Sequence, residues 1–194
     1  ALCGLAKPNI NLLSDDFLDD LRHMPYKNLA VELLEKLLKD DIKAKTRTNA
    51  VQEKKFSDRL QETLRQYNNR AIETAQVIEE LIAMAKEFQA VLDRDTALGL
   101  NPDEIAFYDA LAYNESAVRE LGDEILKKIA VEITEKLRRS TTVDWQIRES
   151  VRAQLRILVR RTLQKYKYPP DKAVEAVELI LKQAEILSNE WSGG

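Results

Sequence analysis

The stretch Val77-Ile78-Glu79-Glu80-Leu81-Ile82-Ala83-Met84-Ala85-Lys86-Glu87-Phe88-Gln89-Ala90-Val91 decides the fold class. Val77, Leu81, Met84, Phe88 and Val91 recur at 4-3-4-3 spacing, the seam of coiled-coil-like helix packing. A Met and aromatic stripe at this spacing reads as core rather than as a cofactor site. The surrounding span 50–95 contains no Gly or Pro, and Leu60 and Leu64 begin the same stripe. A break is expected near Tyr67 to Asn69, because Asn is a poor helix former. Without that break the span is one very long helix.

Upstream, Ser14 before Asp15 and Asp16 has the pattern of an N-cap and an acidic first turn. That helix runs to about His23 and stops before Met24-Pro25. The next begins at Tyr26 or Lys27, carries the stripe Ala30, Leu33, Leu34, Leu37, Leu38 and Ile42, and ends in the polar stretch 46–49. Downstream, Gly99 suits the left-handed position after a helix, Asn101 an N-cap, Pro102 the first helical position and Glu104 the capping box. A short helix then passes through Phe107, Leu111 and Ala112, and another spans about 116–139, bent at Gly122. Thr141-Thr142 opens a helix reaching about Tyr166. Tyr168-Pro169-Pro170-Asp171 turns the chain, with Pro170 suited to a helix start. The last helix shows Val174, Val177, Leu181, Ala184, Leu187 and Trp191 on one face. No unit recurs at fixed spacing, so a solenoid is not expected. The expectation is an all-α, multi-helix bundle with long antiparallel helices, a single domain over 1–194, in which 1–13 is a linker from a preceding domain.

Composition agrees. The 194 residues hold 5 Gly and 5 Pro, and 44% are hydrophobic, enough for a sizeable core. The formal net charge of −3 predicts no affinity for nucleic acid or membrane by itself, yet it hides an asymmetry. Between Arg138 and Lys167 nine Lys or Arg stand against Asp144 and Glu149, a local charge of +7, so the remainder carries −10. A basic element sits in an acidic body. Cys3 is the only cysteine, which excludes an internal disulfide and suits a reducing cytoplasm. No apolar run is long enough to span a membrane. The first residues lack both a signal-peptide pattern and an initiator Met, which reads as a cut from a longer polypeptide.

Familiar catalytic patterns are missing. After Gly4 the next glycines are Gly99, Gly122, Gly193 and Gly194, so neither a Walker loop nor a dinucleotide fingerprint can be built. One Cys and one His cannot form a Cys/His zinc site. A di-iron bundle needs two Glu-x-x-His pairs, and His23 has only Asp20 at that spacing. His23, near a helix end, reads as structural or solvent-exposed, and Asp15-Asp16 and Asp19-Asp20 have a sufficient explanation in helix-end electrostatics. No catalytic residue, metal or cofactor is expected in this chain.

The chemically unusual feature is the ladder Arg148, Arg152, Arg156, Arg160, extended by Arg161 and Lys165. Ile147, Val151, Leu155, Val159 and Leu163 run at the same spacing one residue earlier, so the arginines form a ridge flanking the buried stripe. Asp144 can pair with Arg148 and Glu149 with Arg152, but Arg156, Arg160 and Arg161 have no acidic residue three or four positions away. Like charges at that spacing cost about a few tenths of a kcal/mol each, so groups outside the helix must offset them. The final helix offers Glu175, Glu178 and Glu185. A DNA phosphate backbone or an acidic partner protein are the other candidates. Trp145, Tyr166 and Tyr168 could stack on bases or serve as core anchors.

Four blocks of the chain resemble the C-terminal helical region of the restriction (R) subunit of type I restriction-modification systems. They are His23-Met24-Pro25 leading into Lys27-Asn28-Leu29-Ala30-Val31-Glu32-Leu33-Leu34, and Asn69-Arg70-Ala71-Ile72-Glu73-Thr74-Ala75-Gln76-Val77-Ile78-Glu79-Glu80-Leu81. The third runs from Leu98-Gly99-Leu100 through Phe107-Tyr108-Asp109-Ala110-Leu111 into Asn114-Glu115-Ser116-Ala117-Val118. The fourth joins Val143-Asp144-Trp145 and Arg148-Glu149-Ser150-Val151-Arg152-Ala153-Gln154-Leu155-Arg156 to Tyr168-Pro169-Pro170-Asp171. The resemblance implies a parent subunit with a nuclease domain and two RecA-like motor domains that translocate DNA with ATP. ATP and Mg would belong to those domains. It implies that this region docks the subunit onto the methyltransferase and specificity subunits in a bacterial or archaeal cytoplasm. Contacts with the remaining R-subunit domains, as a brace, or with duplex DNA are the alternatives. No Glu-x-Lys follows Pro102-Asp103 or Pro170-Asp171, so the family's nuclease motif is not carried here.

Overall fold

The computed structural model describes residues 14–140 and 148–191. Among these residues the secondary structure is helical, with α1 (Asp15–Arg22), α2 (Lys27–Lys45), α3 (Ala50–Asn68), α4 (Thr74–Leu98), α5 (Pro102–Ala112), α6 (Glu115–Ser140), α7 (Glu149–Lys165) and α8 (Ala173–Trp191). The protein is all-α. The helices sort into two compact units, whose boundaries fall before the last residue of α2 and inside α3 and α4. The expected linker over 1–13 and helix start at Thr141-Thr142 lie outside the described residues.

The first unit holds 14–44 and Lys55–Arg94. Its helices begin and end where local chemistry dictates. The Ser14 hydroxyl accepts from the Phe17 N–H, and Asp15 and Asp16 fill the positive first turn of α1. The α4 seam is core: Val77, Leu81, Met84 and Phe88 are fully buried, and Val91 packs at the margin. Phe88 meets Phe56 of α3 edge to face at 4.9 Å between ring centroids, the favoured arrangement of ring quadrupoles. Charged groups stay at the surface, where the Arg22 guanidinium grips Glu79 through two bonds and Lys55 and Arg59 share Glu87.

The expected break between α3 and α4 is real, and it is sharper than a weak helix former requires. Ala71 N–H donates to the Gln66 carbonyl and Arg70 N–H to that of Tyr67, while Arg70 takes φ +55°. This is a left-handed helix stop with an arginine where glycine is preferred. In α2 the stripe is Ala30, Val31, Leu34, Leu38 and Ile42; Leu33, expected inside, is exposed because Val31 takes its place on the buried face.

The second unit holds Lys45–Lys54, 95–140 and 148–191. Gly99 adopts φ +69° after α4, and the expected capping box of α5 forms: Glu104 N–H donates to Asn101 Oδ1, and Asn101 N–H to Glu104 Oε2. Gly122 interrupts α6 with φ +75° and ψ 166°, so its two halves are separate helical runs. The core gathers Phe107, Leu111, Leu126, Ile129, Ile133, Leu155, Val159, Leu163, Ile180, Leu181 and Leu187 from α5 to α8. Each such side chain removed from water stabilises the fold by about 1.5–3 kcal/mol.

Two expectations for α8 need correction. The helix begins at Ala173, so Pro170 lies in the preceding turn, where its carbonyl accepts from the Ala173 N–H. Val174 is 65% exposed, because the buried face is carried by Ala176, Val177, Ile180, Leu181, Ala184 and Leu187.

Polar side chains cross this second core. Asn49 Nδ2 donates to the buried Asp109 carboxylate at 2.7 Å, Ala50 N–H donates to Gln183 Oε1, and Gln183 Nε2 donates to the Thr48 carbonyl. Together they bind the α2–α3 connection to α5 and α8. Tyr168, just beyond α7, donates its hydroxyl to the Leu111 carbonyl at 2.8 Å and so pins the turn before α8 to the end of α5.

Candidate functional site

The candidate site is the basic face of α7. Glu149 occupies its first turn and Lys165 its last, each charge opposing the helix dipole end it faces. Leu155, Val159, Thr162 and Leu163 are buried, which fixes the rotation of the helix. Arg152 and Arg156, one position after Val151 and Leu155, come out half-buried, as a ridge beside the stripe requires; Arg160 and Arg161 are exposed. Arg148 is not a helical residue. It is the N-cap, extended at φ −97° and ψ 104°, and supplies no capping hydrogen bond.

The fold sorts these cations into two groups. Arg156 Nε donates to Glu178 Oε1 of α8 at 2.9 Å. Lys165 Nζ donates to the Glu132 carboxylate of α6 at 3.0 Å. Arg148, Arg152, Arg160 and Arg161 form no ion pair among the described residues. Glu149 is therefore not the partner of Arg152 that spacing suggested. Asp144 lies outside the described residues. Of the acidic residues offered by α8, Glu178 takes Arg156, and Glu175 lies 3.6 Å from Lys172.

Glu132 is the hub of this packing and was not singled out by sequence. It accepts from Lys136 of its own helix at 2.5 Å, from Lys165, and from the Tyr166 hydroxyl. Lys136 and Tyr166 hold its carboxyl far below the usual range, at about 2, against the opposing effect of partial burial. The same contacts raise Tyr166 and Lys165 above their ordinary values, chiefly through the bond each makes to Glu132. Tyr166 and the buried Tyr168 thus act as anchors, not as free faces for stacking on bases. Trp145 lies outside the described residues.

Sequence reasoning also passed over Ile157. It is 49% exposed, in a hollow between α6 and α7 whose wall includes Lys136, Arg139, Gln154 and Arg161. The signal was available, since Ile157 lies about 200° around the helix from Leu155 at 100° per residue, opposite the stripe. His23 caps α1, its ring Nδ1 2.9 Å from the Asp19 carbonyl, with an exposed side chain. Among the described residues no cluster of His, Cys, Asp or Glu could hold a metal ion, and no helix is long and apolar enough to cross a membrane.

Comparison with known proteins sets these residues in a family. Residues 1–190 match the family model described as the C-terminal part of endonuclease subunits like that of the type I restriction enzyme HindI. The type I restriction enzyme HindI endonuclease subunit of Haemophilus influenzae is 48% identical over 187 residues, which cover 96% of this chain and 18% of that protein. A protein of Methanocaldococcus jannaschii, named as the MjaIXP type I restriction enzyme endonuclease subunit, is 34% identical over 166 residues, 82% of this chain and 15% of its own length. The chain therefore spans less than a fifth of either relative. No solved structure matches it.

Proposed function

We propose, from the premise that this chain belongs to the family of C-terminal regions of HindI-like type I restriction endonuclease subunits, that it is a non-catalytic assembly module. In this reading it holds the nuclease-bearing subunit, an ATP-dependent DNA translocase, on the methyltransferase-specificity core of the enzyme. The observation that carries the reading is the sorting of the cations on α7. Buried Leu155, Val159, Thr162 and Leu163 fix the helix and Arg156 and Lys165 pair with carboxylates of α8 and α6, while Arg160 and Arg161 remain at the surface with no ion pair among the described residues. A helix held rigidly from behind that presents charge forward suits docking, because its backbone has little freedom left to lose on binding.

The test is deletion of this region from the full-length subunit. The intact subunit is expected to co-migrate with the methyltransferase-specificity core on a sizing column, and the truncated subunit to elute alone. Equal co-migration of both would reject the reading.

That Arg160 and Arg161 form no ion pair among the described residues also favours a second reading, contact with the DNA backbone. It expects binding to duplex DNA that weakens steeply with salt and weakens further in Arg160→Ala and Arg161→Ala. Binding indifferent to both would remove it.

A further inference from the structure

Among the described residues, the walls of the hollow between α6 and α7 carry charge of one sign. Gln154, Ile157, Leu158 and Arg161 follow i, i+3, i+4, i+7 spacing and so share one side of α7; Lys136 and Arg139 face them from one turn of α6. Among the described residues no carboxylate lines it. Its apolar content is equally plain: Leu158 is half-buried and Ile157 is 49% exposed, although isoleucine is among the residues most often found inside. A lone exposed isoleucine is ordinary, but one seated in a concavity ringed by cations combines two recognition chemistries in one place.

The apolar pair beside those cations decides which occupant fits. Lys136 is already paired with Glu132, and Arg139 with Glu135 at 2.5 Å; only Arg161 among the three forms no ion pair with the described residues. A phosphate backbone and a carboxylate would draw on these cations alike, so the charges do not separate the two. Ile157 and Leu158 offer phosphate nothing. An amphipathic protein helix uses both features, placing an apolar anchor in the hollow and carboxylates around its rim. Exposed i, i+4 pairs such as Arg139–Glu135 are worth little, so their cations can turn to an incoming carboxylate at small cost.

We propose that the α6–α7 hollow around Ile157 receives an acidic, amphipathic segment of a partner protein, one apolar side chain on Ile157 and Leu158 and carboxylates against Arg161, Arg139 and Lys136. The proposal rests on the assembly reading above and names the surface and the chemistry of its partner.

The experiment uses the full-length subunit and two probes, the methyltransferase-specificity core and a duplex oligonucleotide without the recognition sequence. A photocrosslinking amino acid at position 157 is expected to join the subunit to an acidic segment of the core. The double variant Arg139→Glu/Arg161→Glu is expected to bind the core about tenfold more weakly or worse, as for lost and reversed charge complementarity, while Arg161→Lys stays near the parent. Both arginines are exposed, and unchanged circular dichroism of the variants certifies the fold. Cross-linking to the duplex, or to another part of the same subunit, overturns the proposal. Undiminished core binding by the double variant also overturns it, yet leaves the assembly reading standing if deletion of the whole region still abolishes binding. Should the deletion leave binding intact, both fall.

Discussion

The two units of this protein are stabilised in different ways. The first is closed by apolar contact: the Phe56–Phe88 pair with Leu, Ile, Val and Met around it, and ion pairs kept outside. The second has an apolar core of similar character but threads buried polar groups through it. Of the buried polar residues among those described, Thr46, Asn49, Gln52, Asp109, Thr134, Thr162, Gln183 and Ser188 belong to the second unit, and Thr63 alone to the first. Dispersion and hydrophobic contacts are non-directional, so many side chains of the right volume satisfy them. Buried hydrogen bonds accept one geometry, and an unmatched partner is costly. The unit that carries the basic face is the one whose segments are placed by directional bonds. We read this as the means by which the α2–α3 connection, α5 and α8 are held in register.

The contrast can be broken or sharpened by substitution. Phe88→Ala in the first unit is expected to cost about 3–5 kcal/mol in denaturant unfolding, while Leu81→Met, which keeps volume, costs less than about 1.5 kcal/mol. Asp109→Ala in the second removes little apolar area yet strands the buried Asn49 amide, for an expected loss of about 1–3 kcal/mol. If Asp109→Ala proved as mild as Leu81→Met, the polar network would be incidental and the comparison empty.

A smaller effect should appear equally in both units, because both end a helix with the same device. Lys167, at φ +58°, repeats after α7 what Arg70 does after α3: Tyr168 N–H donates to the Leu163 carbonyl and Lys167 N–H to that of Gln164. Replacing either residue by Gly relieves a left-handed conformation and is expected to stabilise by about 0.5–1 kcal/mol, read as a raised midpoint. A loss at either site would mean that its side chain contributes more than its backbone costs.

The smallest effect is confined to acid. The Glu132 carboxyl is depressed from 4.5 to about 2, so its contribution is present above pH 4.5 and lost as pH falls toward 2. Its partners Lys136 and Lys165 are exposed, which keeps that contribution small. Stability of the parent should fall through this window relative to Glu132→Gln, which lacks the titrating group. Parallel pH profiles for the two would show that the hub is electrostatically idle.

Much of the fold was legible because it rests on local rules. The α4 seam, the Ser14 cap, the Asn101–Glu104 capping box and Gly99 each depend on residues within a turn or two of one another, and all formed as read. The errors fell where faces compete. Leu33 and Val174 are apolar and nearly in phase with their stripes, yet neighbouring Val31 and Ala176 took the buried positions. Of the candidate site, the ridge beside the core was legible from its offset by one residue from Leu155 and Val159. Its pairing was not. Glu178 and Glu132 reach Arg156 and Lys165 from 22 and 33 residues away, and nothing in the spacing chose Glu178 over Glu175 or pointed to Glu132 at all.

By itself, then, the sequence determined that this protein is helical, where most helices start and stop, and that its positive charge gathers on one of them. Those properties follow from periodicity, capping and composition, which act over a few residues. Tertiary structure alone decided which arginines are neutralised and which face outward, that Asp109 and Gln183 are buried fasteners, and that Ile157 lies in a cationic hollow. Each of these depends on helices distant in the chain meeting at a given rotation, and that rotation is set by the collective packing of the core rather than by any one segment.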